Sequence, residues 1–294
     1  MDTGFTDRFW ESPDGLKLHF RDYPGPGQGP GDRAPVLCLH GLTRNARDFA
    51  DLAAHLSASR RVIVPEMRGR GDSEYARDPA SYTPATYVED VEALLAQEGV
   101  ARFVAIGTSL GGLMTMLMAA KEPSRIAGAV LNDIGPEVEP AGLARIGEYV
   151  GQGRNFPTWM HAALALEEVH APAHPGFETG DWLAMAKRGL TVQQNGRIGF
   201  DYDMSIAEPF RGDENADSGG AAPDLWPAFE ALRDAPLLLL RGALSDLLSP
   251  ATAEAMAARH PDAELVTVPG VGHAPLLDEP VALAAIDRLL ARAA

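Results

Sequence analysis

The sequence predicts an α/β protein built on a mostly parallel β-sheet, and three observations predict it. Short, wholly apolar runs (VLCLH, RVIVPE, RFVAIG, PLLLLRG) alternate with stretches of helical periodicity. Runs without in–out alternation suit strands covered on both faces, as in parallel sheets. One such run, RFVAIG, passes through Gly-Thr-Ser-Leu-Gly-Gly at 107–112 straight into a second apolar stretch.

In chain order, RFWESPDGLKLHFRDY reads as a hairpin turning at Pro13-Asp14-Gly15. The Gly/Pro-rich loop PGPGQGPGDRAP leads into the strand VLCLH, the helix ARDFADLAAHL and the strand RVIVPE. After the loop MRGRGDSEYARDPASYTP come the helix ATYVEDVEALLAQEG, the strand RFVAIG, a helix beginning near Ser109, and the strand of IAGAVLNDIGP. Strands and helices alternating at this spacing make βαβ units. From Pro136 to about Ala235 the rhythm breaks into helical pieces around Trp159 and Trp182, a strand pair near Ile198 to Tyr202 and the acidic loop GDENADSGGAAPD. It resumes with PLLLLRG, a helix entered at Pro250, AELVTVPG and a last helix from PVALAAIDRLLARAA. This division predicts a core of residues 1–135 and 236–294 carrying residues 136–235 as a lid, or cap.

With 294 residues, 46% hydrophobic and 22% charged, the composition is that of a soluble globular protein. Asp plus Glu number 41 against 25 Lys plus Arg, a formal charge of −16, which argues against nucleic acid or an anionic membrane as partner. Cys38 is the single cysteine, so no intrachain disulfide forms. The charged start MDTGFTDRFW has no apolar signal core, no window reads as membrane-spanning, and a cytoplasmic location is the expectation. Oligomeric state has no signature here.

Gly107-Thr108-Ser109-Leu110-Gly111 at a strand-to-helix junction has the form of a nucleophile elbow. A serine pushed out of such a turn needs neighbours two residues away without Cβ atoms, and the following helix N-terminus offers free N–H groups to a developing oxyanion. A serine nucleophile needs a base, and the base an orienter. Of eight histidines, His273 in VPGVGHAP follows a strand and sits in a loop before the last helix, where ligands of open α/β sheets bind. Two acids end strands: Asp246 in RGALSD, which we favour, and Asp133 in VLNDIGP, the alternative. Backbone N–H groups of Leu110 and of Leu42, in the loop after VLCLH, are the expected oxyanion donors. Neither metal nor organic cofactor is called for: His170 and His174 in HAPAH have no nearby thiol or second motif to make a site.

Five ordered segments, LHG at 39–41, RGRGDS at 68–73, GTSLGG at 107–112, RGALSD at 241–246 and GVGHAP at 270–275, give the chain a resemblance to the α/β-hydrolase superfamily over nearly its full length. The resemblance implies an eight-stranded, mostly parallel sheet flanked by helices, with a mainly helical cap after strand 6. It also implies the chain order nucleophile, acid, histidine, which Ser109, Asp246 and His273 follow. Glu66 stands where many members carry aspartate before the RGxG loop. Serine at the elbow argues against dehalogenase- and epoxide-hydrolase-like members. HGLTRN lacks the HGGPG loop of prolyl aminopeptidase-like ones. The SLGG ending and small cap look similar to bacterial carboxylesterases and enol-lactonases.

The expected activity is hydrolysis of carboxylic esters of small to medium apolar molecules through an acyl-enzyme. A C–C bond hydrolase or lactonase using the same residues, and a receptor-like ligand binder with little turnover, are the alternatives. Trp159, Met160, Trp182, Met185 and Phe210 in the inserted segment are the expected pocket residues.

Overall fold

A computed structural model describes residues 4–26, 33–208 and 223–293. Phe210 and residues 212–222 of the acidic loop lie outside the described residues. Eight strands form one sheet: β1 (Thr6–Glu11), β2 (Lys17–Tyr23), β3 (Val36–Leu39), β4 (Val62–Pro65), β5 (Phe103–Thr108), β6 (Ile126–Asn132), β10 (Leu237–Gly242) and β11 (Ala263–Val268). Their order is β1-β2-β4-β3-β5-β6-β10-β11. The β1–β2 hairpin and the β2–β4 pair are antiparallel, and every pairing from β4 to β11 is parallel.

The apolar strands divide their side chains between two cores. Leu37, Leu39, Phe103, Ala105, Leu131, Leu237 and Leu239 face α2 (Pro84–Gln97), α3 (Leu110–Lys121) and α8 (Pro250–Arg259). Val36, Cys38, Val104, Ile106, Val130, Leu238 and Leu240 face α1 (Ala50–Ser57) and α9 (Pro280–Arg292). The period of two is therefore intact; it is hidden in the sequence because both faces are dry. The helices start where local chemistry directs. Thr83 accepts a hydrogen bond from the Thr86 N–H ahead of Pro84, and Ser249 caps Thr252 ahead of Pro250.

Between β6 and β10 lie α4 (Pro140–Tyr149), β7 (Asn155–Phe156), α5 (Trp159–His170), α6 (Thr179–Gly189), β8 (Leu190–Val192), β9 (Ile198–Phe200) and α7 (Trp226–Glu230). The expected strand pair is a three-stranded antiparallel sheet, β7-β9-β8. Phe156, Trp182, Met185, Leu190 and Ile198 give this segment a core of its own. It is tied to the segment between β4 and α2 through a bridge between Arg70 and Tyr202 and a bond from the Tyr82 hydroxyl to Asp203 of 2.6 Å.

The loop after β4 is held from inside. Arg68 is buried and donates to both oxygens of buried Asp90 on α2 at 2.7 Å, and to Asp14 at 2.8 and 2.9 Å. Removing one partner of such a pair leaves a charge stranded in the interior. Because Asp14 remains, Asp90→Ala is expected to cost toward the lower end of about 3–5 kcal/mol, read as a drop in the urea midpoint; an unchanged midpoint would contradict this account.

Candidate active site

Ser109 sits between β5 and α3 with φ 53° and ψ −114°, a backbone conformation that costs a non-glycine residue energy. The surroundings hold it there. A Cβ on Gly111 would run into the Leu39 carbonyl, and one on Gly107 into the backbone of Gly111. Both glycines are required by close approach of α3 to the strands, which is why the serine projects from the sheet's C-terminal edge.

His273, in the loop between β11 and α9, places Nε2 2.9 Å from Ser109 Oγ. Its Nδ1 lies 2.8 Å from Asp133 Oδ2. Asp133, the first residue after β6, is fully buried, and its carboxylate also accepts from the Gly242 N–H at 2.8 Å and the Ser245 hydroxyl at 2.6 Å. Next to it, Asn132 donates to the Thr108 hydroxyl and to the Pro275 carbonyl, tying the serine strand to the histidine loop.

The expected pairing of His273 with Asp246 is corrected by this geometry. Asp246 turns away and forms a two-point ion pair with Arg145 of α4, at 2.5 and 2.9 Å. The Arg145 hydrogen bond holds the Asp246 carboxyl below the usual carboxylate range. The cause lies in the strand ends. Asp133 directly follows β6, the neighbour of β5, whereas three residues separate Asp246 from the end of β10 and let it reach α4.

Leu42 and Leu110 both border the cavity above Ser109. Among the described residues neither N–H has an acceptor. Below them the loop is pinned from three sides. His40 accepts from the Met67 N–H through Nε2, so its Nδ1 carries the proton and donates to the Gly41 carbonyl at 2.8 Å. Burial pushes His40 down to about 4, so it stays neutral and structural. Arg70 donates to the Leu42 carbonyl at 2.9 Å.

Glu66 is the third anchor. It accepts from the Ala46 N–H, the Asp72 N–H and His19 Nδ1, joining the loop after β3, the RGRGD loop and β2. Its extra methylene relative to aspartate is used in a structural junction, away from Ser109. His19, Glu66 and Asp72 also gather within metal-ligand distance of one another, but Glu66 already accepts these hydrogen bonds.

The cavity encloses about 800 Å³ and is walled largely by apolar side chains, among them Leu113, Ile134, Val138, Leu143, Ile146, Leu166 and Leu247. Of the expected pocket residues, Met185 lines it. Trp182 is buried inside the inserted segment's own core, Trp159 packs against that core, and Met160 faces solvent. The bulky aromatics thus stabilise the segment, while medium-sized aliphatics from α4 and α5 border the cavity. Arg44, Asp48 and Tyr149 also line it and went unread in the sequence; His170 and His174, weighed there only as metal ligands, line it too. For Arg44 a signal was available, since it lies two residues beyond Leu42 in the same loop.

The sequence profile of the alpha/beta hydrolase fold matches residues 34–280. The chain is 35% identical over 257 residues to a 3-hydroxybutyrate-oligomer hydrolase of Cupriavidus necator, covering 87% of each chain. It is 26% identical over 247 residues to a 2-(acetamidomethylene)succinate hydrolase of Mesorhizobium japonicum, covering 84% of this chain and 82% of that one. A crystal structure of an alpha/beta hydrolase from Novosphingobium aromaticivorans superposes with a TM-score of 0.92 at 60% identity, over 98% of this chain and 99% of that chain.

The His19–Glu66 junction gives a pH signature. Burial disfavours the charged imidazole, but Glu66 and Asp7, with Asp72 nearby, outweigh it and hold His19 above its ordinary value. Burial likewise opposes ionisation of Glu66, and His19 and the two backbone donors outweigh it, holding the carboxyl below its ordinary value. A raised histidine stabilises the fold fully below its unfolded value and loses that contribution as pH climbs through the folded one; a lowered glutamate does so above its unfolded value. Both contributions are present between about pH 5 and 6.5. The urea-midpoint advantage of wild type over His19→Gln should be largest there and shrink toward about pH 9; an advantage that grows with pH would contradict the assignment.

Proposed function

Since the chain belongs to the alpha/beta hydrolase fold family, we propose that it is a serine hydrolase of carboxylic esters acting through Ser109, His273 and Asp133. The observation that carries this reading is the continuous hydrogen-bonded chain from Ser109 Oγ through both ring nitrogens of His273 to Asp133, opening into a large apolar cavity.

His273 Nε2 takes the Ser109 proton as Oγ attacks the ester carbonyl. Asp133 keeps the Nδ1 proton in place and balances the imidazolium that forms. The N–H groups of Leu42 and Leu110 receive the oxyanion, which preorganised donors stabilise by about 2.7–4 kcal/mol each in acyl transfer. Collapse expels the alcohol, which leaves with the proton from His273. Water, activated by the same imidazole, then attacks the acyl-enzyme and regenerates Ser109. Residues 136–235 serve as the cap that shields this chemistry from bulk water. The relative that hydrolyses 3-hydroxybutyrate oligomers supports an ester as the scissile group and a small hydroxyacid ester as a first substrate to try.

Ser109→Ala should fold normally and lose ester turnover by about 10⁶; substantial residual hydrolysis would remove it as nucleophile. Asp133→Asn should lower kcat by about 10⁴ by disturbing the imidazole tautomer, whereas Asp246→Asn should leave kcat close to wild type. Steady-state hydrolysis of p-nitrophenyl acetate and butyrate reads both, and the opposite ranking of the two aspartates would overturn the assignment of the acid.

A further inference from the structure

Along the wall of the apolar cavity, Arg44 has hydrogen-bonding capacity to spare. Arg44 donates through Nε and Nη2 to the two oxygens of Asp48, each at 2.6 Å, which fixes the guanidinium as a rigid fork. Among the described residues its Nη1 has no acceptor, so two hydrogens remain to be satisfied. Gly189, the last residue of α6, makes room for that nitrogen: a Cβ there would lie 2.9 Å from Nη1.

Arg44 is also near the chemistry. The Arg44 side chain at Cγ and the Ser109 Cβ flank the same point above Gly41, at 3.4 and 3.9 Å from it. Along the same cavity stands His174, which is 95% buried and has a buried Nδ1 with no partner. A buried polar atom left open beside a cavity is one that a ligand can satisfy. Burial, with the charges of Arg44 and Arg145 behind it, pushes His174 down to about 4 and the neighbouring His170 to about 3. Both imidazoles are therefore neutral near pH 7 and each retains one N–H to donate. Arg44 also borders a second, smaller cavity of about 180 Å³ that it shares with Arg188, at the far side of Met185 and Leu276.

We propose that Arg44 is a specificity-determining residue that holds a free carboxylate of the substrate, making the enzyme selective for esters bearing a carboxylate a few bonds from the scissile carbonyl. This rests on the ester-hydrolase reading above and narrows its substrate class to half-esters of dicarboxylic acids and hydroxyacids acylated at the hydroxyl. An acidic protein of formal charge −16 repels anions generally, so an anionic substrate needs a fixed local cation. Asp48 offsets part of the Arg44 charge but presents the Nη1 hydrogens in one direction.

Binding measured on Ser109→Ala protein separates this site from catalysis. Calorimetric titration with monoethyl and diethyl esters of succinate and glutarate should show the half-ester bound roughly tenfold or more tightly than the diester, the size of one charge-assisted hydrogen bond. Arg44→Gln should erase that ratio and Arg44→Lys should retain part of it. Gly189→Ala, which crowds Nη1 while keeping the charge, should lower it as well, so the inference stays testable if loss of the Arg44–Asp48 pair unfolds the first variant. Equal affinity for half-ester and diester, or a preference unmoved by Arg44→Gln in folded protein, would overturn the proposal. Arg44-dependent binding of the half-ester with no hydrolysis of it by wild-type enzyme would uphold the carboxylate site and overturn the ester-hydrolase reading.

Discussion

The close contact between the first turn of α3 and the strands beneath it is the constraint on which the site depends. With Gly111 seated against the Leu39 carbonyl and Gly107 against the Gly111 backbone, the helix has no freedom to rise. Ser109 is then forced to φ 53° and its hydroxyl into the cavity. The energy of that strained residue is met by packing elsewhere, chiefly the apolar layer of α3 against β5 and β6. The same contact sets Leu110, the first residue of α3, at the border of the cavity above the serine.

Around this fixed point every functional loop is held by a buried polar group with its hydrogen bonds directed at backbone. His40 and Arg70 hold the Leu42 loop, Glu66 joins that loop to the RGRGD turn, Asn132 joins β5 to the His273 loop, and Asp133 accepts from the Gly242 N–H at the end of β10. These groups share one physical role: loops at a sheet's edge have backbone donors and acceptors that no ladder satisfies, and side chains satisfy them instead. A mobile nucleophile or base would lose the positional advantage that catalysis of this kind requires.

The cavity has a different logic. Its aliphatic walls from α4 and α5 offer few polar partners and lower the local dielectric, which strengthens any charge interaction made inside. Against that background a single fixed fork such as Arg44 has leverage that it would not have on the surface. The inserted segment therefore does two things: Trp182, Phe156 and Ile198 make it stable, Leu143, Ile146 and Tyr149 shape the space over Ser109, and Leu166 and Met185 do both.

What the sequence by itself determined is what short-range patterning encodes. The order of strands and helices follows from apolar runs and caps, Ser109 from its flanking glycines, and His273 from its position past a strand. The break at Pro136 was legible because helix–strand alternation stops there. The acid was not, because Asp133 and Asp246 both follow strand ends and both lie between Ser109 and His273 in the chain. Only the tertiary structure decides between them: β6 lies beside β5, so Asp133 comes up under the imidazole, while Arg145, 101 residues from Asp246 in sequence, draws Asp246 away. The same holds for Arg44, Tyr149 and His174, which share a cavity wall through long-range packing that no local periodicity records.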